Sequence, residues 1–344
     1  MLHILHIPAY TLTPIKMSIY NSIQLQTYLR RINYPSPSNA STPLTHLQSS
    51  IATNPLQALT TLQRYHLASI PWGNTALHYS QHHSISTHPS AVFEKLVNRR
   101  LDGYCMENTN LLYGVLRSLG YVVYPAAGRV SKSVGDPSVK ARDVRFGSLG
   151  HMVLIVTIAG EKYMVDVGFG NNNPTSPLPL KGNTTAQNHP GTSMRLAREP
   201  LPEAVDQSQK FWMYQVAYTS TPGQETDWHT MYAFSEAETL PQDFAMMNVN
   251  TSQTGSSWFT QMVVCVRHVL EEEDEGGDQE GELRAVGMYV LSGREVKRRV
   301  GGVSEVVMRL ENEEDRVEAL KRWFGIELAD YEVQGIRGLG SELV

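Results

Sequence analysis

Apolar residues recur three and four positions apart along the first third of the chain, and they gather in short continuous runs after residue 120. Ile19, Ile23, Tyr28, Leu29 and Ile32 share one helical face, and the Asn33–Pro35 stretch ends that run. Residues 35–46 are rich in Pro, Ser, Thr and Asn and read as loop. Asn54-Pro55 offers a cap followed by the imino acid that a first helical turn accepts, ahead of Leu56, Leu59, Leu62 and Leu67. Thr87-His88-Pro89 opens another helix, with Val92, Phe93, Leu96 and Val97 on one face. The next stripe, Leu111, Leu112, Val115, Leu116 and Leu119, closes at Gly120, a residue suited to a left-handed cap.

From Tyr121 the pattern changes to short strand-like runs. Residues 121–124, 152–158, 163–167 and 211–218 read as strands between Gly-, Pro- and Asn-rich loops, and 171–208 reads mostly as loop. Strand-like runs return at 258–269, 284–291 and 303–310, followed by a helix over about 313–324. The acidic, Gly-containing block 271–282 reads as a solvated surface loop. No internal repeat is present.

Two of these strands place chemistry together. His151 opens the run 152–158, and Asp166 lies in the run 163–167. A hairpin turning on Ala159-Gly160 sets Val153 opposite Asp166 and His151 opposite Gly168. Alternation then puts His151 and Asp166 on one face as diagonal neighbours, with Cβ atoms about 7–8 Å apart. A turn centred one residue later would separate them. A carboxylate on Nδ1 fixes the tautomer and leaves Nε2 to take a proton. Cys105 supplies that proton. It stands where the stripe beginning at Leu111 places the first helical turn, whose free N–H groups and positive dipole end favour a thiolate. The backbone N–H of Cys105 is the first donor for an oxyanion. Cysteine, histidine and carboxylate are the parts of covalent acyl transfer. Gly168-Phe169-Gly170 follows the aspartate; its glycines allow close approach and Phe169 offers an apolar wall for an aromatic substrate.

Composition narrows the picture. The 344 residues suffice for two or three domains, and 41% hydrophobic with 18% charged residues is ordinary for a globular protein. A net charge of −5 without a basic stripe argues against a nucleic-acid partner, and no apolar run is long enough to cross a membrane. The N-terminus lacks the positive region of a signal peptide, and Pro8 cuts its apolar start short. Residues 1–16 read as a disordered extension before a second start at Met17. Two cysteines, Cys105 and Cys265, make no disulfide framework and fit a cytoplasmic setting. Cys265 lies within the apolar run 262–266 and reads as core. His78, His82, His83 and His88 lack the spacing of a structural zinc site and read as a solvated loop, so no metal is expected.

Three of these stretches resemble the arylamine N-acetyltransferase family, in its fungal branch. That family carries Arg-Gly-Gly-(Phe/Tyr)-Cys-x-Glu, a His-Met before an apolar strand, and Val-Asp-x-Gly-Phe-Gly. The corresponding residues here are Leu101-Asp102-Gly103-Tyr104-Cys105-Met106-Glu107, His151-Met152 and 165–170. Ile70-Pro71-Trp72-Gly73-Asn74 is similar to the family's Ile-Pro-Phe-Glu-Asn, and Ser257-Trp258-Phe259-Thr260-Gln261 to a stretch of its last domain.

The resemblance implies an α+β fold of three domains: a helical bundle over 17–124, a β-barrel over 125–235 and an α/β lid over 236–344, with a papain-like Cys-His-Asp core. It implies ping-pong chemistry in xenobiotic metabolism. Cys105 takes an acyl group from acetyl-CoA, or from malonyl- or propionyl-CoA, and an arylamine or arylhydrazine accepts it. CoA is a co-substrate and no bound cofactor is implied. His151 would be the base and Asp166 its orienter. Phe169 would contact the acceptor; Gly170 and Thr260 would lie near the CoA. Leu101 and Asp102 depart from the family's Arg-Gly, and Gly73 from its Glu. Asp102 could cap the helix, or oppose thiolate formation if it points at the sulfur. Two other readings fit the same residues: an inactive or binding-only paralogue, and a thiol hydrolase or transglutaminase-like enzyme. The oligomeric state is not legible.

Overall fold

The computed structural model describes residues 18–35, 42–134, 136, 138–139, 143–182, 184–218, 227–272 and 283–344. The extension 1–16 and nearly all of the acidic block lie outside the described residues.

Helices dominate up to residue 119. α1 (Ser22–Arg31) begins at Asn21, whose side chain accepts from the Gln24 N–H at 3.0 Å. It buries Leu25, Tyr28 and Leu29, whereas Ile23, on the predicted face, is 73% exposed. α2 (Pro43–Thr53) starts inside the stretch read as loop, because Thr42 caps it and Pro43 fits its first turn. α3 (Pro55–Ser69) starts at Asn54 as predicted. A two-residue strand β1 (Trp72–Gly73), a short α4 (Ala76–Tyr79) and α5 (Pro89–Phe93) follow, the last widening into a π-type turn over Glu94–Asn98. α6 (Cys105–Leu119) buries its whole predicted stripe up to Leu116 and ends at Gly120 with φ 92°. Tyr28, Leu59, Leu62, Leu96, Leu111 and Leu112 meet in one core. Each fully buried leucine contributes about 1.5–3 kcal/mol.

Eight strands form the larger sheet: β2 (Val122–Ser131), β3 (Phe146–Ile158), β4 (Glu161–Val165), β5 (Leu178–Pro179), β6 (Thr185–Gln187), β7 (Thr192–Pro200), β8 (Lys210–Tyr218) and β9 (His229–Glu238). Their order is β5-β4-β3-β2-β9-β8-β7-β6, antiparallel throughout. β5 returns towards β7, so the sheet is nearly a closed barrel around Ile155, Met164, Trp212, Tyr214 and Phe234. The stretch 171–208, read as mostly loop, is largely loop but also contributes three strands, β5, β6 and β7. The β3–β4 hairpin has the expected register: Leu154 pairs Val165 and Ile158 pairs Glu161. Ala159 (φ 50°) and Gly160 (φ 82°) form its two-residue turn.

Beyond the barrel come α7 (Pro241–Gln253) and α8 (Trp258–Gln261). A helical turn thus replaces the first residues of the strand expected from 258. β10 (Val264–Glu272), β11 (Leu283–Ser292), β12 (Glu295–Val300) and β13 (Val303–Arg309) join β1 in a second sheet, ordered β1-β10-β11-β12-β13. α9 (Glu313–Ala319) runs into a π-type turn over Leu320–Phe324, and α10 (Asp330–Val333) follows. The closing segment is pinned by Arg316, whose buried guanidinium bonds Glu313, the Tyr79 hydroxyl and the Ser341 carbonyl. Among the described residues no helix is long and apolar enough to cross a membrane.

Candidate active site

Cys105 is the first residue of α6, delivered there by a short extended segment that runs parallel to β1. The Gly73 N–H donates to the Gly103 carbonyl at 3.0 Å, and the Gly103 N–H to the Pro71 carbonyl at 3.3 Å. The thiol therefore faces the unpaired N–H end of a fifteen-residue helix. It is 5% exposed and lies 3.5 Å from the Gly150 carbonyl on β3.

His151 is next along β3. Its ring packs against Phe169 (centroids 5.2 Å apart) and Tyr232 (4.6 Å). Its Nε2 lies 2.7 Å from Asp166 Oδ2. The expected pair is thus formed, through the opposite ring nitrogen from the one anticipated. Diagonal neighbours on a hairpin are widely spaced, so the farther nitrogen is the one that reaches. Nδ1 is left for the thiol. Burial draws the His151 pKa down, but the Asp166 carboxylate and the Cys105 thiol outweigh it and raise it to about 10.

Asp166 is the residue just after β4 rather than inside a strand. It is fully buried, and its Oδ1 accepts the Gly168 N–H at 2.7 Å. Its backbone carbonyl accepts the side-chain amides of Gln63 at 3.0 Å and Asn173 at 2.7 Å. Sequence reasoning missed these supports. Gln63 had a signal, a polar residue one turn after Leu59 on a core-facing stripe; Tyr232 had none, because β9 was not read as a strand.

A cleft of about 1420 Å³ opens between the two sheets. Cys105, His151 and Phe169 line one side, and Trp72, Trp258 and Val290 the other. Gly170 lies behind this wall, packed on the Trp72 ring. Thr260 is not part of the wall: its hydroxyl bonds the Thr254 and Ser257 carbonyls, bracing the turn that carries Trp258. Cys265 is fully buried in β10, and burial pushes its thiol well above the usual range. His78, expected in a solvated loop, is fully buried and bonds the Ser341 hydroxyl at 2.7 Å and the Phe259 carbonyl at 3.0 Å. Among the described residues no three His, Cys, Asp or Glu side chains converge to hold a metal ion.

Asp102 neither caps α6 nor turns towards the sulfur. Its carboxylate accepts the Thr75 N–H at 3.1 Å and the Thr75 hydroxyl.

Known proteins resemble this chain over most of its length. The N-acetyltransferase family model matches residues 55–333. An N-malonyltransferase, FDB2, of Fusarium pseudograminearum is 33% identical over 326 residues, 92% of each chain. An arylamine N-acetyltransferase of Mycobacterium tuberculosis is 31% identical over 253 residues, 72% of this chain and 75% of that one. The solved Mycobacterium marinum arylamine N-acetyltransferase in complex with CoA superposes with a TM-score of 0.66 at 26% identity, covering 92% of this chain and 99% of that one. This chain belongs to the arylamine N-acetyltransferase family.

Proposed function

We propose that this chain is an acyl-CoA-dependent N-acyltransferase that works by ping-pong transfer through a thioester on Cys105. One observation carries the reading. His151 stands between the thiol and a buried carboxylate, with Nε2 2.7 Å from Asp166 Oδ2 and its other nitrogen free for the sulfur. His151 takes the thiol proton, and the sulfur attacks the thioester carbonyl of the donor. The oxyanion is met by first-turn N–H groups of α6, that of Cys105 foremost. The tetrahedral intermediate collapses, and CoA leaves with the proton His151 returns to its sulfur. The acceptor amine then attacks the acyl-Cys105 carbonyl, loses its proton to His151, and releases the thiol. Asp166 orients the imidazole and stabilises its charged form throughout.

The cleft suits this order of events. Phe169, edge-on to the His151 ring, borders the acceptor, an arylamine or arylhydrazine. Gly170, just behind the wall, and Thr260, through the turn it braces, lie near the CoA. In this reading the chain is a helical unit over 17–124, a barrel over 125–235 and a lid over 236–344, with the cleft at their junction. The free cysteines suit a reducing, cytoplasmic compartment. The donor is acetyl-, malonyl- or propionyl-CoA, and the relative named N-malonyltransferase gives malonyl-CoA particular weight.

The test is intact-protein mass after mixing with acetyl-CoA and, separately, malonyl-CoA, without acceptor and beside Cys105→Ala. We expect a gain of one acyl group, absent from the variant and discharged by 2-aminophenol. No adduct from either donor on a folded protein would overturn the proposal in favour of a binding-only paralogue. Turnover of peptides without CoA would favour a thiol hydrolase.

A further inference from the structure

Two of the three positions where the chain departs from the family's pattern, 73 and 102, meet in space. Asp102 is fully buried, three residues before Cys105 in the segment that hands over to it. Its only bonded partner among the described residues is Thr75, through N–H and hydroxyl. Between Thr75 and that segment lies Gly73. A Cβ there would overlap Asp102 Oδ2 and lie 3.1 Å from its Cγ. The carboxylate thus fills the space a side chain at 73 would need. Around it, Gly73 donates to Gly103 and Gly103 to Pro71, while Asn108 Nδ2 in α6 donates to the Pro71 carbonyl at 3.3 Å and to that of Gly103. Leu101, on the other side, is buried in the core beneath the second sheet. Asp102 is therefore the one side chain that ties the nucleophile's approach segment across β1 to Thr75.

We infer that Asp102 is a positioning residue for Cys105, locking the segment that delivers the nucleophile through Thr75 in the space that Gly73 leaves empty. The inference rests on the reading of Cys105 as nucleophile. It makes the two departures one feature: glycine at 73 is the condition for aspartate at 102. It also separates geometry from charge. An asparagine at 102 can accept the Thr75 N–H with its oxygen and donate to the Thr75 hydroxyl with its amide, so it preserves the lock without the charge.

The experiment follows carboxamidomethylation of Cys105 by iodoacetamide, residue-resolved by mass, with acylation by the CoA donor in parallel. In the unaltered protein Cys105 reacts ahead of Cys265; failure of that control removes the nucleophile reading, and this inference with it. Asp102→Ala is expected to slow both reactions of Cys105 about tenfold or more, since small misplacements of reacting groups are costly. Asp102→Asn should hold both within about threefold. Gly73→Ala should cost about fivefold less, or better, when introduced into Asp102→Gly than into the unaltered protein. The residual loss there reflects the Val264 carbonyl, 2.9 Å from the added Cβ. Three results would each overturn the inference: full rates in a folded Asp102→Ala, faster alkylation in Asp102→Asn, or losses from Gly73→Ala and Asp102→Gly that simply multiply. If Asp102→Ala does not fold, Thr75→Val, which removes only the hydroxyl donor, is read in its place, and unchanged Cys105 rates there overturn the lock equally.

Discussion

A methyl group added at Gly168 would meet Cys105 Cα at 2.5 Å and Thr109 Oγ1 at 2.8 Å. The loop after Asp166 therefore rests directly on the helix that opens with Cys105, with no room for a side chain. Gly168→Ala is expected to cost about 1–3 kcal/mol of stability by overpacking. Displacing the sulfur from His151 should cut acyl transfer about 10²-fold. Urea unfolding and kcat/KM for one donor–acceptor pair check both; unchanged kcat/KM would show that the loop retreats instead. At this scale the sequence was most readable where chemistry demands a residue type. Cys105, His151 and Asp166 announce themselves because few side chains can replace them. The ring nitrogen facing Asp166 was wrongly assigned from sequence, because the wide spacing of diagonal hairpin neighbours, which only the farther nitrogen spans, was not weighed. The role of Thr260 was not readable, since its hydroxyl turns to its own backbone.

The register of the β3–β4 hairpin was legible to the residue because Ala159-Gly160 is a short turn signal between two strand-like runs. α7 shows the opposite case. It buries Phe244, Asn248 and Ser252, while Met246 and Val249 are 70% and 51% exposed, so apolar spacing points away from its inward face. The reason is that α7 docks through hydrogen bonds. Asn248 accepts the Tyr104 hydroxyl and donates to the Ile85 carbonyl at 2.9 Å, joining the helix to the residue before Cys105. Asn248→Ala would leave both groups buried and unpaired, a loss of about 1–3 kcal/mol. The measurement is a urea unfolding curve; a change under 0.5 kcal/mol, about the level of a surface substitution, would mean water has replaced the amide.

The barrel and the second sheet touch through a pair of imidazoles that no sequence motif marks. His189, between β6 and β7, and His268, on β10, stack with centroids 5.2 Å apart and share one hydrogen bond of 3.1 Å. Burial, reinforced by His268, lowers the His189 pKa to about 3, and burial lowers that of His268 to about 4. The unfolded chain takes up these protons near pH 6.5, whereas the folded pair refuses them. The unfolded state therefore binds more protons as pH falls, and stability drops from about pH 6.5 towards 4. The urea midpoint should fall across that window and fall less steeply in His268→Gln. An equally steep fall in the variant would assign the acid sensitivity to other buried histidines such as His66, also lowered to about 3 by burial. The division into two sheets was reachable only through the family resemblance, because β1 is two residues long and pairs with a strand far along the chain. That pairing also has a meaning in time. Trp72 binds Val266 and Gly73 binds Cys265, so the platform beneath Cys105 is finished by residues that leave the ribosome roughly 160 positions after it. At about 5–20 residues per second, the nascent thiol waits on the order of ten seconds before the strand that seats it exists. The seat of Cys105 is thus a late product of synthesis, and the growing chain carries the cysteine unseated through about 160 residues of elongation.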